Sequence, residues 1–317
     1  MLQPQIAVIL PCHNEAAAIA AVVRDFRQAL PDADIYVFDN ASTDGTATVA
    51  ADAGAIVRQV RDRGKGNVLR YAFATVEADV YVLADGDGTY DAKRAPELVQ
   101  LLWRDGLEMV VGSREHDESN AYRGGHVIGN RMFNAMVRAL FGKAFVDIFS
   151  GYRIFSRPFV KSFPALATGF ETETEMSLHA LQLGLPCAEV ATRYAARVEG
   201  SASKLKTFGD GTRILWFILR LLRYTRPLQL FSAITALTAG TSLVLGIPIA
   251  VEFLQTGYVP RLPTAVAAVG LMVIATLSFA TGLILDSLAY TQRESKRLAF
   301  LATDRFARRR PPSAHSD

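Results

Sequence analysis

Val80-Tyr81-Val82-Leu83-Ala84 runs straight into Asp85-Gly86-Asp87, and that junction orders the rest of the chain. Five apolar residues closed by an Asp-Gly turn predict a buried strand. Two carboxylates at the carboxyl end of such a strand lie where open α/β sheets take their ligands, and they suit a divalent cation held against a diphosphate. Outward from this strand the pattern repeats. Apolar runs at 6–10, 35–38, 55–60 and 109–112 predict further strands. Residues 15–30, a short stretch after Gly45, 65–76 and 94–103 predict helices, the first capped by Asn14. Repeated βα units imply an α/β fold with a mainly parallel sheet and helices on both faces.

The chain changes character beyond residue 210. Half of its 317 residues are hydrophobic. Residues 1–210 read as one α/β domain, whereas 228–254 carries one charge, Glu252, and 262–285 carries none. At about 1.5 Å per residue each run can cross a hydrocarbon core of roughly 30 Å, so 227–290 is expected to hold two transmembrane helices. In 211–226, Arg213, Arg220 and Arg223 fall on one side of a helix while Ile214, Leu215, Ile218, Leu221 and Leu222 cover much of the rest, the pattern of an amphipathic interfacial helix.

Basic residues flank the apolar pair: Lys204, Lys206, Arg213, Arg220, Arg223 and Arg226 before it, Arg293, Lys296, Arg297, Arg305 and Arg308 to Arg310 after it. The loop between offers only Arg261. This bias places the N-terminal domain, both termini and the basic tail 291–317 on the cytoplasmic side of an inner or plasma membrane, as in a prokaryote. No basic n-region opens the chain, so no cleaved signal peptide is apparent. Cys12 and Cys187 lie in apolar stretches and are expected to be small core residues, not a disulfide or a metal site. The net charge of +3 sits largely in the juxtamembrane clusters, which suit an anionic lipid surface; nothing resembles a nucleic-acid reader. Ala236, Gly240, Gly270 and Gly282 would let the spans pack on each other or on a second copy, leaving a homo-oligomer open.

Polar groups gather where the predicted strands end. The first ends in Pro11-Cys-His-Asn14-Glu15, the second in Asp39-Asn-Ala-Ser-Thr-Asp-Gly45, the third in Arg61-Asp-Arg-Gly64-Lys65-Gly66, the fourth in Asp85-Gly86-Asp87 and the fifth in Gly112-Ser-Arg114. With Asp147-Ile-Phe-Ser-Gly-Tyr-Arg153 and Gly200-Ser-Ala-Ser-Lys-Leu205, these motifs resemble the family 2 inverting glycosyltransferases of GT-A fold. The second half is similar in arrangement to the polyprenyl-phosphate branch, which includes dolichol-phosphate mannose synthase. A Gln-x-x-Arg-Trp string, the mark of processive polysaccharide synthases, is absent from the sequence. Asp85-Gly-Asp-Gly-Thr-Tyr-Asp91 departs from the pattern of mannose synthases and favours a UDP-sugar over GDP-mannose.

The resemblance implies a membrane enzyme that moves one sugar from a nucleotide-sugar to a polyprenyl phosphate, with inversion and with Mg²⁺ or Mn²⁺ at Asp85 and Asp87. It implies nucleotide-sugar binding by Pro11, Asn14, Glu15, Asp39, Lys65, Asp85, Gly86 and Asp87. Asp44 reads as a turn or cap residue, and His13 is given no role. An acceptor phosphate is already anionic, so the chemistry needs cations that overcome its repulsion from the donor diphosphate, not a strong base. Arg114, Arg131, Arg153 and Lys204 are the expected phosphate ligands, with an ion pair to Asp147 as the other reading of Arg153. Glu173 is the catalytic candidate among Glu171, Glu173 and Glu175, although acids also favour a helix N-terminus. A hydroxyl-bearing lipid or glycan acceptor would make such an acid indispensable as a base. GDP-mannose-dependent transfer is the other donor reading, and the intact motif set argues against a catalytically dead anchor subunit.

Overall fold

The computed structural model describes residues 3–115, 147–167, 169, 171–195, 222–223 and 226–306. The chain divides into two compact units, Met1–Thr207 together with Lys296–Asp317, and Phe208–Ser295.

The first unit is an α/β sheet domain. Its strands are β1 (Ile6–Cys12), β2 (Asp34–Asp39), β3 (Ile56–Gln59), β4 (Val80–Leu83), β5 (Met109–Glu115), β6 (Arg153–Ser156) and β7 (Cys187–Arg193). They form one sheet in the order β3-β2-β1-β4-β6-β5-β7. β6 runs antiparallel to both its neighbours, while the remaining pairings are parallel. The helices are α1 (Ala16–Ala29), α2 (Thr46–Asp52), α3 (Lys65–Thr75), α4 (Ala95–Arg104), α5 (Arg157–Ser162) and α6 (Thr172–Leu183). The α/β class and the mainly parallel sheet agree with the sequence reading. β6 and β7 are additions to the expected strands.

Side-chain alternation divides the core between the two sheet faces. Val8, Leu10, Val80, Val82 and Ile154 pack with Ile19, Val23 and Phe26 of α1 and Leu98 and Leu102 of α4. The neighbouring positions Tyr81 and Phe155 point the other way, into an aromatic chain through Phe73, Phe159 and Phe163 that ends on His179. Every residue of β4 is buried, as a strand covered on both faces requires. Neither cysteine is in a disulfide; Cys12 is buried and Cys187 half-buried.

The expected cap of α1 is a correction. Asn14 has φ 56° and its Oδ1 accepts from Thr43 N at 2.8 Å, so it ties two loops together. The first N–H of the helix, from Ala16, donates instead to Asp44 Oδ2 at 3.0 Å. Asp44 Oδ1 also accepts from Thr46 N, and these bonds hold its carboxyl below the usual range even though burial pushes upward.

Two long apolar helices, α7 (Pro227–Thr256) and α8 (Leu262–Leu301), are each long and apolar enough to cross a membrane. Small residues bring them together. Ser242 Oγ donates to Ala268 O at 2.7 Å, and a Cβ on Gly282 would lie 2.7 Å from Phe231 Cβ. Gly240 and Gly270 have nothing within 4 Å of a Cβ position. From Lys296 the chain packs within the first unit. Lys296 Nζ donates to Gln182 Oε1 at 3.0 Å, Arg157 Nη1 to Asp304 O at 2.9 Å, and Phe306 meets Trp103 edge-on at 5.6 Å. Residues 211–221, 224–225 and 307–317, which hold most of the expected interfacial helix and the end of the basic tail, lie outside the described residues.

Candidate active site

The sheet changes direction between β1 and β4, because β2 and β3 extend it one way from β1 and β6, β5 and β7 the other way from β4. Such a switch point leaves a crevice beyond the carboxyl ends of the strands. The sequence opens that crevice with Pro11. β1 pairs with β4 only over Ile6 to Ile9, but with β2 as far as Cys12. Ile9 O accepts from Ala84 N on the β4 side, and Cys12 O accepts from Asn40 N on the β2 side. By alternation Pro11 faces β4, where its missing N–H ends the pairing. Gly86 then fits against β1, since a Cβ there would collide with Cys12 Sγ.

One wall of the crevice is fixed by Asn40. Its Nδ2 donates to Val60 O at 3.1 Å and Asp62 O at 2.7 Å, and its Oδ1 accepts from Gly64 N at 2.7 Å. The loops after β2 and β3 are thereby fastened together, and Asn40 N holds them to β1. Asp39 is buried in this wall and accepts from Ser42 N at 3.3 Å; Glu15 is buried at the start of α1. His13 Nδ1 is bonded to Asn40 O.

At the end of β4, Asp87 is 3% exposed and its Oδ1 accepts from Thr89 N at 3.2 Å and Thr89 Oγ1 at 2.7 Å. The side chain of Asp85 is 31% exposed. Lys65, at the first turn of α3, reaches Asp85 Oδ1 at 2.5 Å and Glu173 Oε1 at 2.6 Å. Burial alone would lower the pKa of Lys65, but Asp85 and Glu173 outweigh it and keep the ammonium above the ordinary lysine range. Of the three alternating glutamates, Glu173 joins this cluster, while Glu175 accepts from Leu166 N and Ala167 N. Gly151 closes the cluster from the side of β6: a Cβ there would lie 2.9 Å from Asp85 Oδ2, 3.0 Å from Lys65 Nζ and 3.2 Å from the Tyr90 hydroxyl. Tyr90 Oη accepts from Gly151 N at 2.9 Å, and burial raises the pKa of its phenol.

Arg114 makes a bidentate pair with Asp147, Nε to Oδ2 at 2.7 Å and Nη2 to Oδ1 at 2.9 Å. The guanidinium lies over the Tyr194 ring, which in turn meets Tyr90. Burial pushes the Asp147 carboxyl up, but Arg114 more than compensates and holds it below the usual range. The pair leaves Nη1 of Arg114 outside its two bonds.

Arg153 is a correction on both readings. It is 0% exposed, and its donors go to Ser150 O, Ile148 O, Ser177 Oγ and Met109 Sδ. A guanidinium so enclosed has no access to a phosphate, and the carboxylate of Asp147 is bonded by Arg114 instead. Arg153 therefore shapes the 147–152 loop from beneath. Arg131 and Lys204 lie outside the described residues. Asn40, Tyr90, Asp147 and Gly151 were not among the expected site residues, although the last two stand in the run from Asp147 to Arg153 that carries part of the family resemblance.

Asp85 and Asp87 supply hard oxygen donors, and among the described residues no three acidic, histidine or cysteine side chains converge on one ion. Two carboxylates without a closed protein cage fit Mg²⁺ or Mn²⁺, which take one or two carboxylates together with substrate phosphates.

Residues 7–163 match the family described as Glycosyl transferase family 2. Glycosyltransferase AglJ of Haloferax volcanii is 31% identical over 295 residues, covering 92% of this chain and 96% of AglJ. Undecaprenyl-phosphate mannosyltransferase of Micrococcus luteus is 24% identical over 218 residues, 62% of this chain and 86% of that protein. Among solved structures, glucosyl-3-phosphoglycerate synthase of Mycobacterium tuberculosis, in complex with Mn²⁺, UDP and glucosyl-3-phosphoglycerate, superposes with a TM-score of 0.56 at 26% identity, over 69% of this chain and 79% of that one. A sheet whose acids stand at its switch point, and these likenesses along almost the whole chain, make it a glycosyltransferase belonging to family 2.

Proposed function

We propose that the protein transfers a single sugar from a nucleotide-sugar to a polyprenyl phosphate at the cytoplasmic face of a membrane, inverting the anomeric centre. A UDP-sugar such as UDP-glucose or a UDP-N-acetylhexosamine is the favoured donor. The observation that carries the reading is the acidic pair Asp85 and Asp87 beside the opened β1/β4 seam, in a chain that continues into two long apolar helices. The UDP complex of the tuberculosis enzyme supports the donor, and the name of the Micrococcus relative supports the acceptor.

In this reading an oxygen of the acceptor phosphate attacks the anomeric carbon as the bond from that carbon to the diphosphate breaks, and the electron pair leaves with the nucleoside diphosphate. Mg²⁺ or Mn²⁺ at Asp85 and Asp87 would neutralise the charge that develops there. The crevice wall of Pro11, Asn14, Glu15 and Asp39 would take the nucleoside. Arg114, aligned by Asp147, would present Nη1 to the acceptor phosphate, joined by Arg131 and Lys204. Glu173 holds Lys65 beside Asp85. The basic residues flanking α7 and α8 argue for a cytoplasmic site, and 211–226 would lie at the headgroup layer.

Detergent-purified protein with undecaprenyl phosphate, Mg²⁺ or Mn²⁺ and a panel of UDP- and GDP-sugars tests this by nucleotide release and product mass. A polyprenyl-phosphate sugar from a UDP donor is the expected product. Consumption of GDP-mannose would favour the second reading, which the Micrococcus mannosyltransferase supports. Turnover only with hydroxyl lipids would contradict the acceptor.

A further inference from the structure

Lys65 serves two carboxylates and leaves one oxygen waiting. Its Nζ lies 2.5 Å from Asp85 Oδ1 and 2.6 Å from Glu173 Oε1. Glu173 Oε2 is buried and has no hydrogen-bond partner among the described residues. One of the two acids that fit the metal is thus already neutralised by a cation of the protein. Glu173 has an unused acceptor to which that cation can move.

We propose that Lys65 is a resident counter-cation: it holds Asp85 until a divalent cation arrives with the nucleotide, then passes its ammonium wholly to Glu173. The proposal rests on the reading of Asp85 and Asp87 as the metal pair and deepens it, because it makes the binding of metal and nucleotide interdependent. An ammonium at 2.5 Å from Asp85 Oδ1 already neutralises the carboxylate that would hold a metal. Two further positive charges brought up alone would be repelled by Lys65 at short range. The same charges brought with a diphosphate are not, since the phosphates compensate them. Lysine suits this role as a compact point charge on a flexible stem. Gly151 leaves little room for a bulkier head, with its Cβ position only 3.0 Å from Nζ.

The test is Mn²⁺ binding to the full chain in detergent, followed by electron paramagnetic resonance without nucleotide, and UDP and GDP binding by calorimetry with and without Mn²⁺. Wild-type protein is expected to bind Mn²⁺ alone weakly and to bind one nucleotide at least about tenfold more tightly when Mn²⁺ is present, the two effects being reciprocal. Lys65→Met should strengthen binding of Mn²⁺ alone by at least about tenfold and shrink the nucleotide effect. Methionine leaves two acids unpaired, so Lys65→Met with Glu173→Gln is measured beside it, with folding checked by circular dichroism. The same gain is expected there. Unchanged or weaker Mn²⁺ binding in a folded variant, while the wild type still binds nucleotide more tightly with Mn²⁺, overturns the exchange and leaves the metal pair standing. Absence of any Mn²⁺ effect in the wild type overturns the metal pair and the exchange together.

Discussion

Gly151→Ala isolates the close packing around the acids. The added methyl would sit 2.9 Å from Asp85 Oδ2, 3.0 Å from Lys65 Nζ and 3.2 Å from the Tyr90 hydroxyl. Against an ordinary contact of about 3.5 Å, it overlaps Asp85 by roughly half an ångström. Overpacking of this kind costs about 1–3 kcal/mol. Gly151 does not have a positive φ, so alanine meets no backbone strain there and recovers about 0.4–1 kcal/mol by restricting the unfolded chain. The melting temperature should therefore fall only slightly, and activity is the sharper readout. A misplacement of about 1 Å can cost about a hundredfold in rate, so half of that predicts a fall in kcat/KM of about tenfold. Nucleotide release would be measured for Gly151→Ala and for Gly240→Ala, whose Cβ meets nothing within 4 Å and should leave the rate unchanged. Wild-type kcat/KM in Gly151→Ala would show that the approach of this loop to Asp85 and Lys65 has no part in turnover.

Acid should loosen the fold through His179. Burial, helped by Lys296, pulls its pKa down to about 3, so it stays neutral in the folded chain, while the unfolded chain takes up a proton below about 6.5. Stability is therefore full above that value and is lost as pH falls toward the folded value, by about 2 kcal/mol between about pH 7 and 5. A thermal-melt series should steepen below about pH 6.5, and His179→Phe should flatten it; a pH-independent wild type would contradict the neutral buried ring. Arg153→Met should lower stability by about 2–4 kcal/mol, since Ile148 O, Ser150 O and Ser177 Oγ lose a charged donor. Arg153→Lys should not restore it, because one ammonium cannot span those acceptors; a wild-type melt for either would sink the structural role. Ending the chain after Ser295 removes Arg305 from Glu108 and Phe306 from Trp103, and should lower the melting temperature of the sheet domain. An unchanged melt would show that this segment contributes no stability.

Much of the fold was legible because apolar runs such as Val80 to Leu83 announce strands buried on both faces. β6 was harder to see, being four residues long and beginning with an arginine. Nothing local distinguishes a buried Arg153 from a solvated one; beside Ile148 and Ser150 in its own loop, its partners Met109 and Ser177 come from separate parts of the chain. The acids of the site were readable because they follow strands. Their partnerships were not, since Arg114 finds Asp147 across 33 residues and Lys65 finds Asp85 across 20. Asn14 shows the same limit: its place before a helix suggested a cap, yet Asp44, brought in by the neighbouring loop, bonds the helix N–H instead.

The most direct measurement is product analysis with undecaprenyl phosphate and the nucleotide-sugar panel, for wild type and for Asp87→Asn. A single polyprenyl-phosphate sugar of inverted anomeric configuration, released with UDP and lost in Asp87→Asn, is the predicted result. A product on any other acceptor, or turnover undiminished by Asp87→Asn, would contradict the proposed reaction.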